Sequence, residues 1–324
     1  MSQQIDSPSV PEEERKQKKT DEIRSLFVEK HLLVMDDCMD VKNILTEAFP
    51  ETDDIPTALR QLDDLKRCLD SFRPLNQGQL ENLQEAYDTE YTYESNRIEG
   101  NTLTLQETYL VIAKGMTING KSLDEHLEAR NHKEAINYIR DIVQQNIPLT
   151  ESLVNSIHNI ILGGIKPRDA GRYRSVPVMI SNAKHVPPQP YIVPKKMEDI
   201  FFWYNENANK LHPVQLAADM HEKIVTVHPW IDGNGRTSRL VMNLILLQHG
   251  YPIARIPGDD DSRYAYYSAL EQAQDGLNIE PFHKLVAGYV KISLFEYLVM
   301  VSGSMDGSHG GNGAYFYERI APYL

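Results

Sequence analysis

The sequence predicts a mainly α-helical fold, because apolar residues recur at helical spacing through most of the 324-residue chain. The stretches LRQLDDLKRCLDSF, EARNHKEAINYIRDIV and SRLVMNLILLQHG each show this spacing. One interval differs: AGRYRSVPVMISNAKHVPPQPYIVP is rich in Val, Ile and Pro around Ser181 and Asn182, which predicts a short β-hairpin. A lone hairpin is only marginally stable, so we expect it to lie over another part of the fold.

The chain is long enough for two hydrophobic cores, and its composition changes towards both ends. Residues 1–20 are polar and charge-dense, which predicts a disordered N-terminus. Residues 21–91 carry helical patterns and predict an N-terminal helical region. Residues 291–324 continue a helical pattern and then turn Gly-rich in SGSMDGSHGGNG, which predicts a flexible tail.

Charge and cysteine content narrow the functional classes. The formal net charge of -13 argues against a general nucleic-acid binder, which needs clustered Lys and Arg. Cys38 and Cys68 are the two cysteines and form no disulfide framework, so we expect core thiols in a reducing compartment. The sequence shows no apolar run of about 18 residues and no signal-peptide pattern. We therefore expect a cytoplasmic protein without a membrane span.

The stretch SNRIEGNTLTLQE predicts a turn between two helices. Gly100 suits the left-handed position beyond a helix end, and Thr104 with Glu107 forms a capping box for the next helix. Glu99 therefore lies on the turn, with Ser95 on the same face four residues earlier. A carboxylate at a helix C-terminus is unfavourable by roughly 0.3–1 kcal/mol unless a cation meets it. The sequence thus predicts a cationic partner for Glu99.

The stretch VHPWIDGNGRTSRLVMNLILLQHGYP predicts two helices joined by a tight loop. The first helix should stop at His228, because Pro229 disfavours helical geometry in the residue before it. The second should begin near Arg236. Gly233 and Gly235, just before that start, allow backbone N–H groups to converge on an anion. This loop is therefore a predicted anion site.

The charged side chains around this loop indicate transfer chemistry. Arg236 and Arg239 project to the same side of the first helical turn, where cations are favourable when an anion lies between them. Asp232 is suited to hold Mg²⁺ against a phosphate chain. His228 is suited to act as a general base near neutral pH. Together these residues predict a phosphoryl or nucleotidyl transfer site.

Three rival interpretations concern the same loop. DGNGR resembles the start of a calcium EF-hand loop, but Arg236 and Asn243 occupy positions five and twelve, so the ligands are missing. His221 and Glu222 precede His228, but histidines seven residues apart do not form the zinc-protease site. A different metal site and a purely structural helix–loop–helix turn remain the alternatives.

The twelve residues HPWIDGNGRTSR resemble the signature of Fic-domain proteins, with Trp230 where Phe is usual. The resemblance extends over residues 92–290. It includes the GRYR and hairpin segment, which is similar to the target-docking flap of that family, and DDDSRYAYYSALEQAQDG, which is similar to its adenine-side helix. The resemblance implies a Fic-type helical bundle with a β-hairpin flap over the active site, and a catalytic core at 92–290 that includes an inhibitory helix.

The resemblance also implies the reaction, which is transfer of AMP from ATP, with Mg²⁺, to a hydroxyl group of a protein docked at residues 176–187. His228 would deprotonate the hydroxyl and Asp232 would hold Mg²⁺. Gln274 stands where Asn is expected on the adenine side. The implied nucleotide-binding residues are Gly233, Asn234, Gly235, Arg236, Arg239, Tyr267 and Leu270.

The resemblance gives Glu99 a partner as well. SNRIEG is similar to the inhibitory motif of the self-inhibited branch of the family, which implies that Glu99 pairs with Arg239 and that Ser95 supports the turn. A carboxylate on Arg239 would occupy the donors that the γ-phosphate needs. Two alternatives stay open: Glu99 could activate water to remove AMP from a modified protein, or the chain could be a non-catalytic nucleotide-binding protein. A homodimer is compatible with the sequence.

Overall fold

The computed structural model describes residues 42, 45–72, 77–180, 184–276 and 278–303, and in these ranges the fold is mainly α-helical, as the sequence predicts. No β-strand occurs in the described part of the chain. A short 3₁₀ turn, Pro190–Ile192, precedes α6. The helices are α1 (Ile55–Asp70), α2 (Gln77–Ile98), α3 (Leu105–Lys114), α4 (Leu123–Gln144), α5 (Glu151–Ile161), α6 (Val193–Asn207), α7 (Pro213–Val227), α8 (Asn234–Gln248), α9 (Asp260–Gln274) and α10 (Glu280–Gly303).

The chain divides into two compact units, Met1–Leu75 with Leu294–Leu324, and Asn76–Ser293. The first contains α1, which begins after Asp54; the Asp54 side chain accepts a hydrogen bond from the Thr57 N–H at 3.0 Å. The buried residues of α1 are Leu59, Leu62, Leu65, Cys68 and Leu69. The domain limits given above remain predictions.

Several sequence predictions fall outside the described residues. These are the disordered N-terminus at 1–20, most of the helical pattern before residue 45, Cys38 and the Gly-rich stretch after residue 303. Cys68 is buried in α1, as expected for a core thiol. Among the described helices, none combines the length and hydropathy needed to cross a membrane.

The second unit is built around α8. This helix packs along α7 and also contacts α4 and α5, while α2 packs on α4 and α6 packs on α7. Because α8 is surrounded by other helices, it is buried along most of its length, and its second half is largely apolar all round instead of along one stripe. Its fully buried apolar residues are Leu240, Val241, Met242, Leu244, Ile245 and Leu246. This packing fixes the first turn of α8, which carries the two predicted arginines.

The turn between α2 and α3 has the predicted geometry. The helix α2 ends at Ile98, and Gly100 has a positive φ of 97°. The Thr104 hydroxyl accepts from the Glu107 N–H at 3.2 Å, and the Glu107 carboxylate accepts from the Thr104 N–H at 2.8 Å. The predicted capping box is therefore confirmed.

The 176–187 segment differs from the predicted hairpin. None of its described residues is in a strand, and residues 181–183 lie outside the described part. Pro177, Pro187 and Pro188 lack the N–H donors that a strand ladder uses, which explains why extended chain does not pair here. The prediction was correct in excluding a helix from this segment.

A buried arginine holds both ends of this segment in place of a ladder. Arg174 donates from Nη1 to the Val176 carbonyl at 3.2 Å and from Nη2 to the Pro188 carbonyl at 2.5 Å. Its Nε donates to the His228 carbonyl at 2.8 Å. One side chain therefore connects the segment to the end of α7.

Helix α6 was not among the predicted helices. Its first residues, Val193 and Pro194, end the Pro-rich interval assigned to the hairpin. Proline is compatible with the first turn of a helix, because that N–H has no intrahelical acceptor. The proline therefore marks the start of α6 and not the continuation of a loop.

We expect Arg174→Ala to lower the free energy of unfolding by about 2–3 kcal/mol, because three buried or half-buried carbonyls lose a charged donor. Urea unfolding followed by circular dichroism measures this. Arg172→Ala, at an exposed neighbour, is the matched control and should change stability by less than about 0.5 kcal/mol. Equal effects of the two changes would contradict the tethering role of Arg174.

Candidate active site

His228 lies at the end of α7, where the sequence predicts that the helix stops. Its backbone is left-handed, with φ at 49°, which is uncommon for a residue other than glycine. Its Nδ1 lies 3.4 Å from the Val225 carbonyl oxygen, so the tautomer that donates there leaves Nε2 as an acceptor. Burial of the ring, with Arg174 nearby, lowers the pKa of His228 to about 4. The ring is therefore neutral at pH 7, as a general base must be.

The loop after His228 is held by a buried aromatic pair. Trp230 is fully buried and stacks on His158 with ring centroids 4.3 Å apart. Its indole N–H donates to the Asn155 side chain at 3.2 Å, so the Trp that replaces the usual Phe has a hydrogen-bond partner. The Asn234 side chain makes two hydrogen bonds with the Trp230 backbone, both 3.0 Å. These contacts hold the loop in one conformation.

Helix α8 begins at Asn234, two residues before the predicted start, and Gly233 precedes it with φ at 74°. No described side chain caps this helix end, so its first N–H groups can serve an anion. A Cβ added at Gly235 would collide with Oε1 of Glu99. The Glu99 carboxylate therefore lies against the first turn of α8, at the predicted anion site.

The structure brings Ser95, Glu99 and Arg239 together. Arg239 is 1% exposed and donates from Nη2 to Glu99 Oε1 at 2.7 Å. Its Nε donates to the Ser95 hydroxyl at 3.0 Å, and Nη2 also donates to the Ser95 carbonyl at 2.8 Å. Burial would lower the pKa of Arg239, but the Glu99 carboxylate raises it above its ordinary value. The predicted cationic partner of Glu99 is thus Arg239.

Asp232 lies in the loop with its carboxylate engaged by cations. It pairs with the Lys166 ammonium, accepts the Gly233 N–H at 2.6 Å and lies 3.4 Å from Nη2 of Arg236. Partial burial would raise the pKa of Asp232, but these donors hold it below its ordinary value. The group is therefore an anionic oxygen ligand at neutral pH.

The donor set around Asp232 fits Mg²⁺ bound together with a phosphate chain. The described residues contain no cluster of three or more His, Cys, Asp or Glu side chains that could hold a metal. Mg²⁺ commonly uses one or two carboxylates plus substrate phosphates and water in place of an all-protein cage. Asp232 is partly exposed beside the first turn of α8, so it suits that role.

Arg236 is the other predicted phosphate contact, and it is also buried. It is 3% exposed and donates from Nη1 to Glu128 Oε1 at 2.8 Å. Both signature arginines therefore have a carboxylate partner, Glu128 for Arg236 and Glu99 for Arg239.

Helix α9 carries the predicted adenine-side residues. Tyr267 is 47% exposed, and Glu99 and Arg239 lie near enough to influence its pKa, which burial raises. Leu270 is 6% exposed and belongs to the core. Its contact with a nucleotide remains a prediction. The neighbouring Tyr266 contacts Arg239 directly, with its oxygen 3.4 Å from Nη1.

Sequence reasoning missed several residues of the site. Only His158 gave a signal, since it stands within the apolar stripe of α5 beside Ile157. The other missed residues are Arg174, Lys166, Glu128 and Tyr266. Each is an ordinary polar residue in its own segment, and its role depends on a partner more than 25 residues away.

His221 supports the site through Tyr266, the residue that contacts Arg239. It is fully buried, and its Nε2 accepts from the Tyr266 hydroxyl at 2.9 Å. Burial, with Arg239 nearby, keeps the pKa of His221 well below its ordinary value. The fold therefore requires this ring to be neutral.

Comparison with known proteins supports one family. The Fic/DOC family profile matches residues 148–246. A Drosophila grimshawi protein named "Protein adenylyltransferase Fic" is 38% identical over 241 residues, which are 74% of this chain and 49% of that protein. A Nematostella vectensis protein of the same name is 36% identical over 265 residues, 75% of this chain and 61% of that protein. The chain spans about half the length of the curated relatives it matches.

Solved structures extend the similarity to the fold. Fic-1 from C. elegans superposes with a TM-score of 0.67 at 32% identity, covering 75% of this chain and 71% of that chain. A Fic domain-containing signaling protein from Bacteroides thetaiotaomicron superposes with a TM-score of 0.68 at 30% identity, covering 75% and 97%.

We expect stability to fall as the pH drops below about 6.5, because an unfolded His221 takes up a proton that the folded ring cannot accept. Protonation of this ring in the unfolded state should by itself lower the free energy of unfolding by about 2 kcal/mol between pH 7 and pH 5. His221→Gln should therefore lose less unfolding free energy over that interval than wild type. Identical pH dependence in His221→Gln and wild type would contradict the prediction.

Proposed function

The chain belongs to the Fic/DOC family, and we propose that it transfers AMP from ATP to a hydroxyl group of a target protein, under restraint by Glu99. The observation that carries this proposal is the Glu99–Arg239 pair, seated against Gly235 at the first turn of α8. A carboxylate at that position occupies a site built for an anion.

In this proposal the reaction uses the groups around the loop. His228 Nε2 accepts the proton of the target hydroxyl, and the hydroxyl oxygen forms a bond to the α-phosphorus of ATP. The bond from the α-phosphorus to the bridging oxygen of the β-phosphate breaks, and its electron pair leaves with pyrophosphate. Asn234 and Gly235 offer backbone N–H groups, and Gly233 offers its own once that N–H leaves the Asp232 carboxylate. Arg236 and Arg239 neutralise the β- and γ-phosphates.

The proposal includes Mg²⁺, held by Asp232. When bound, the ion would neutralise charge on the phosphates of ATP. Lys166 and Arg236 hold the Asp232 carboxylate ionised and oriented towards the first turn of α8.

Restraint by Glu99 follows from competition for one donor. Arg239 Nη2 donates to the Glu99 carboxylate, so a γ-phosphate must displace that carboxylate to reach it. Ser95 keeps the other donors of Arg239 pointed towards α2. ATP therefore binds with its triphosphate out of line until Glu99 leaves.

The target protein docks on the 176–187 segment in this proposal. Met179 is 91% exposed and Val186 is 75% exposed, so the segment offers apolar side chains at the surface. Because no strand pairs with its described residues, an extended peptide can use its backbone groups. A homodimer and a cytoplasmic location remain predictions.

A second candidate activity is removal of AMP from a modified protein. The Glu99 side chain is 30% exposed and uses Oε1 for Arg239, while Oε2 has no hydrogen bond to the described residues. That oxygen can orient a water for attack on the α-phosphorus. A non-catalytic nucleotide-binding protein would show neither activity.

We expect Glu99→Gly to raise AMP transfer at least 10-fold, because a charge-assisted contact worth about 1.5–3 kcal/mol no longer opposes the γ-phosphate. The assay uses Mg²⁺ and ATP labelled at either the α- or the γ-phosphate. Label should transfer from the α position only. Adding His228→Ala should lower the rate by about 10²- to 10⁴-fold.

Two results would overturn parts of this proposal. Absence of label in every variant would exclude autonomous transfer. AMP release from a labelled protein by wild type, abolished in Glu99→Gly, would favour the hydrolase instead.

We expect the transfer rate of Glu99→Gly to show no loss attributable to His228 between pH 8 and pH 6. The pKa of His228 is about 4, so the ring stays neutral and able to accept a proton throughout that range. The measurement is kcat/KM for ATP against pH. A tenfold fall in kcat/KM between pH 7 and pH 6 that persists after correction for enzyme unfolding would contradict the low pKa of His228.

A further inference from the structure

The inhibitory turn at residues 99–102 is fastened to α4 by two carboxylates. Glu125 accepts from the Thr102 N–H at 2.9 Å and from its hydroxyl at 2.6 Å. Glu128 Oε2 accepts from the Asn101 side-chain N–H at 2.8 Å. The turn that carries Glu99 is therefore positioned by α4 as well as by Arg239.

The orientation of the Asn101 amide is fixed by its neighbours. Its Oδ1 accepts from the Leu103 N–H at 3.0 Å, so the nitrogen must face α4. That nitrogen also donates to the Glu125 carbonyl at 3.1 Å. Asn101 is thus a donor to Glu128 and cannot turn around without losing two contacts.

Glu128 joins this turn to the catalytic loop through its other oxygen. Oε1 accepts from Arg236 Nη1 at 2.8 Å, while Oε2 accepts from Asn101. One carboxylate therefore bridges the first signature arginine and the residue two positions beyond Glu99. The Glu125 carboxylate binds Thr102 and Ser122 instead, so the bridge to Arg236 is made by Glu128.

We propose that Glu128 and Asn101 couple the phosphate contact at Arg236 to the position of Glu99, an inference that rests on the proposed function. Arg236 is almost fully buried, with Nη1 on Glu128 and Nη2 towards Asp232. An anion that takes over Arg236 competes with Glu128, and a shifted Glu128 weakens the anchor of Asn101. Because coupling is reciprocal, loosening the turn strengthens anion binding. Glu128 is thus a positioning residue that acts through Arg236 and the turn.

The test compares Asn101→Ala and Glu128→Gln in wild type and in Glu99→Gly. Each change should raise AMP transfer in wild type by roughly 3- to 10-fold, the factor that one hydrogen bond supports. The double variant should gain no more than the larger single change, because both break one bridge. In Glu99→Gly, Asn101→Ala should leave the rate within about twofold, since no Glu99 remains to be released.

The control is Asp124→Asn, which removes an exposed carboxylate from the same helix without touching the turn. Asp124→Asn should change the rate of AMP transfer neither in wild type nor in Glu99→Gly. Thermal melting of every variant identifies any loss of folded protein. The coupling is overturned if Glu99→Gly raises AMP transfer but Asn101→Ala does not. It is also overturned if Asn101→Ala changes the transfer rate by the same factor in wild type and in Glu99→Gly.

A binding measurement separates this inference from the proposed function. Asn101→Ala should tighten inorganic pyrophosphate binding by isothermal titration calorimetry in wild type, and leave it unchanged in Glu99→Gly. If Glu99→Gly transfers no label, the transferase proposal fails while this measurement still decides the coupling. Equal pyrophosphate affinity in Asn101→Ala and wild type would overturn it.

Discussion

The burial of the Arg239 guanidinium is the constraint on which the site depends. A charge with 1% exposure requires partners, and the fold supplies the Glu99 carboxylate, the Ser95 hydroxyl and carbonyl, and the Tyr266 oxygen. These partners come from α2, the turn after it and α9, which are far in sequence from each other and from α8, the helix that carries Arg239. The arginine therefore orders the site, and at the same time it is held by the carboxylate that any anion must displace.

The loop itself is shaped by contacts that carry no charge. Trp230 stacked on His158, with Asn234 bonded to the Trp230 backbone, leaves the loop little freedom. The last turn of α7 and the first turn of α8 are therefore set against each other before any nucleotide arrives. Preorganised donors of this kind cost little reorganisation during the reaction. The restraint by Glu99 then acts on a site that is otherwise assembled.

Much of the fold followed from local sequence. Apolar spacing predicted most of the helices, Thr104 with Glu107 predicted a capping box, and Pro229 predicted the end of α7. Helix α6 was missed because Pro194 was assigned to an extended interval. The predicted hairpin pairing is not found in the described residues. Pro177, Pro187 and Pro188 have no N–H donors there, and Arg174 fastens the segment in another way.

The site could be predicted only in part, because some of its residues are close in sequence and others are brought together only by the fold. His228, Asp232 and the two arginines lie within twelve residues, so their chemistry was visible together. The pairing of Glu99 with Arg239 came from resemblance to a family motif, because 140 residues separate them. Local sequence does not indicate the role of Glu128, since that role depends on how α4 packs beside α8.

The most direct test of the competition for Arg239 is the ratio of ATP to ADP affinity in wild type and in Glu99→Gly. Competition for Arg239 predicts that the γ-phosphate adds affinity only in the variant, and an equal ratio in both proteins would contradict it.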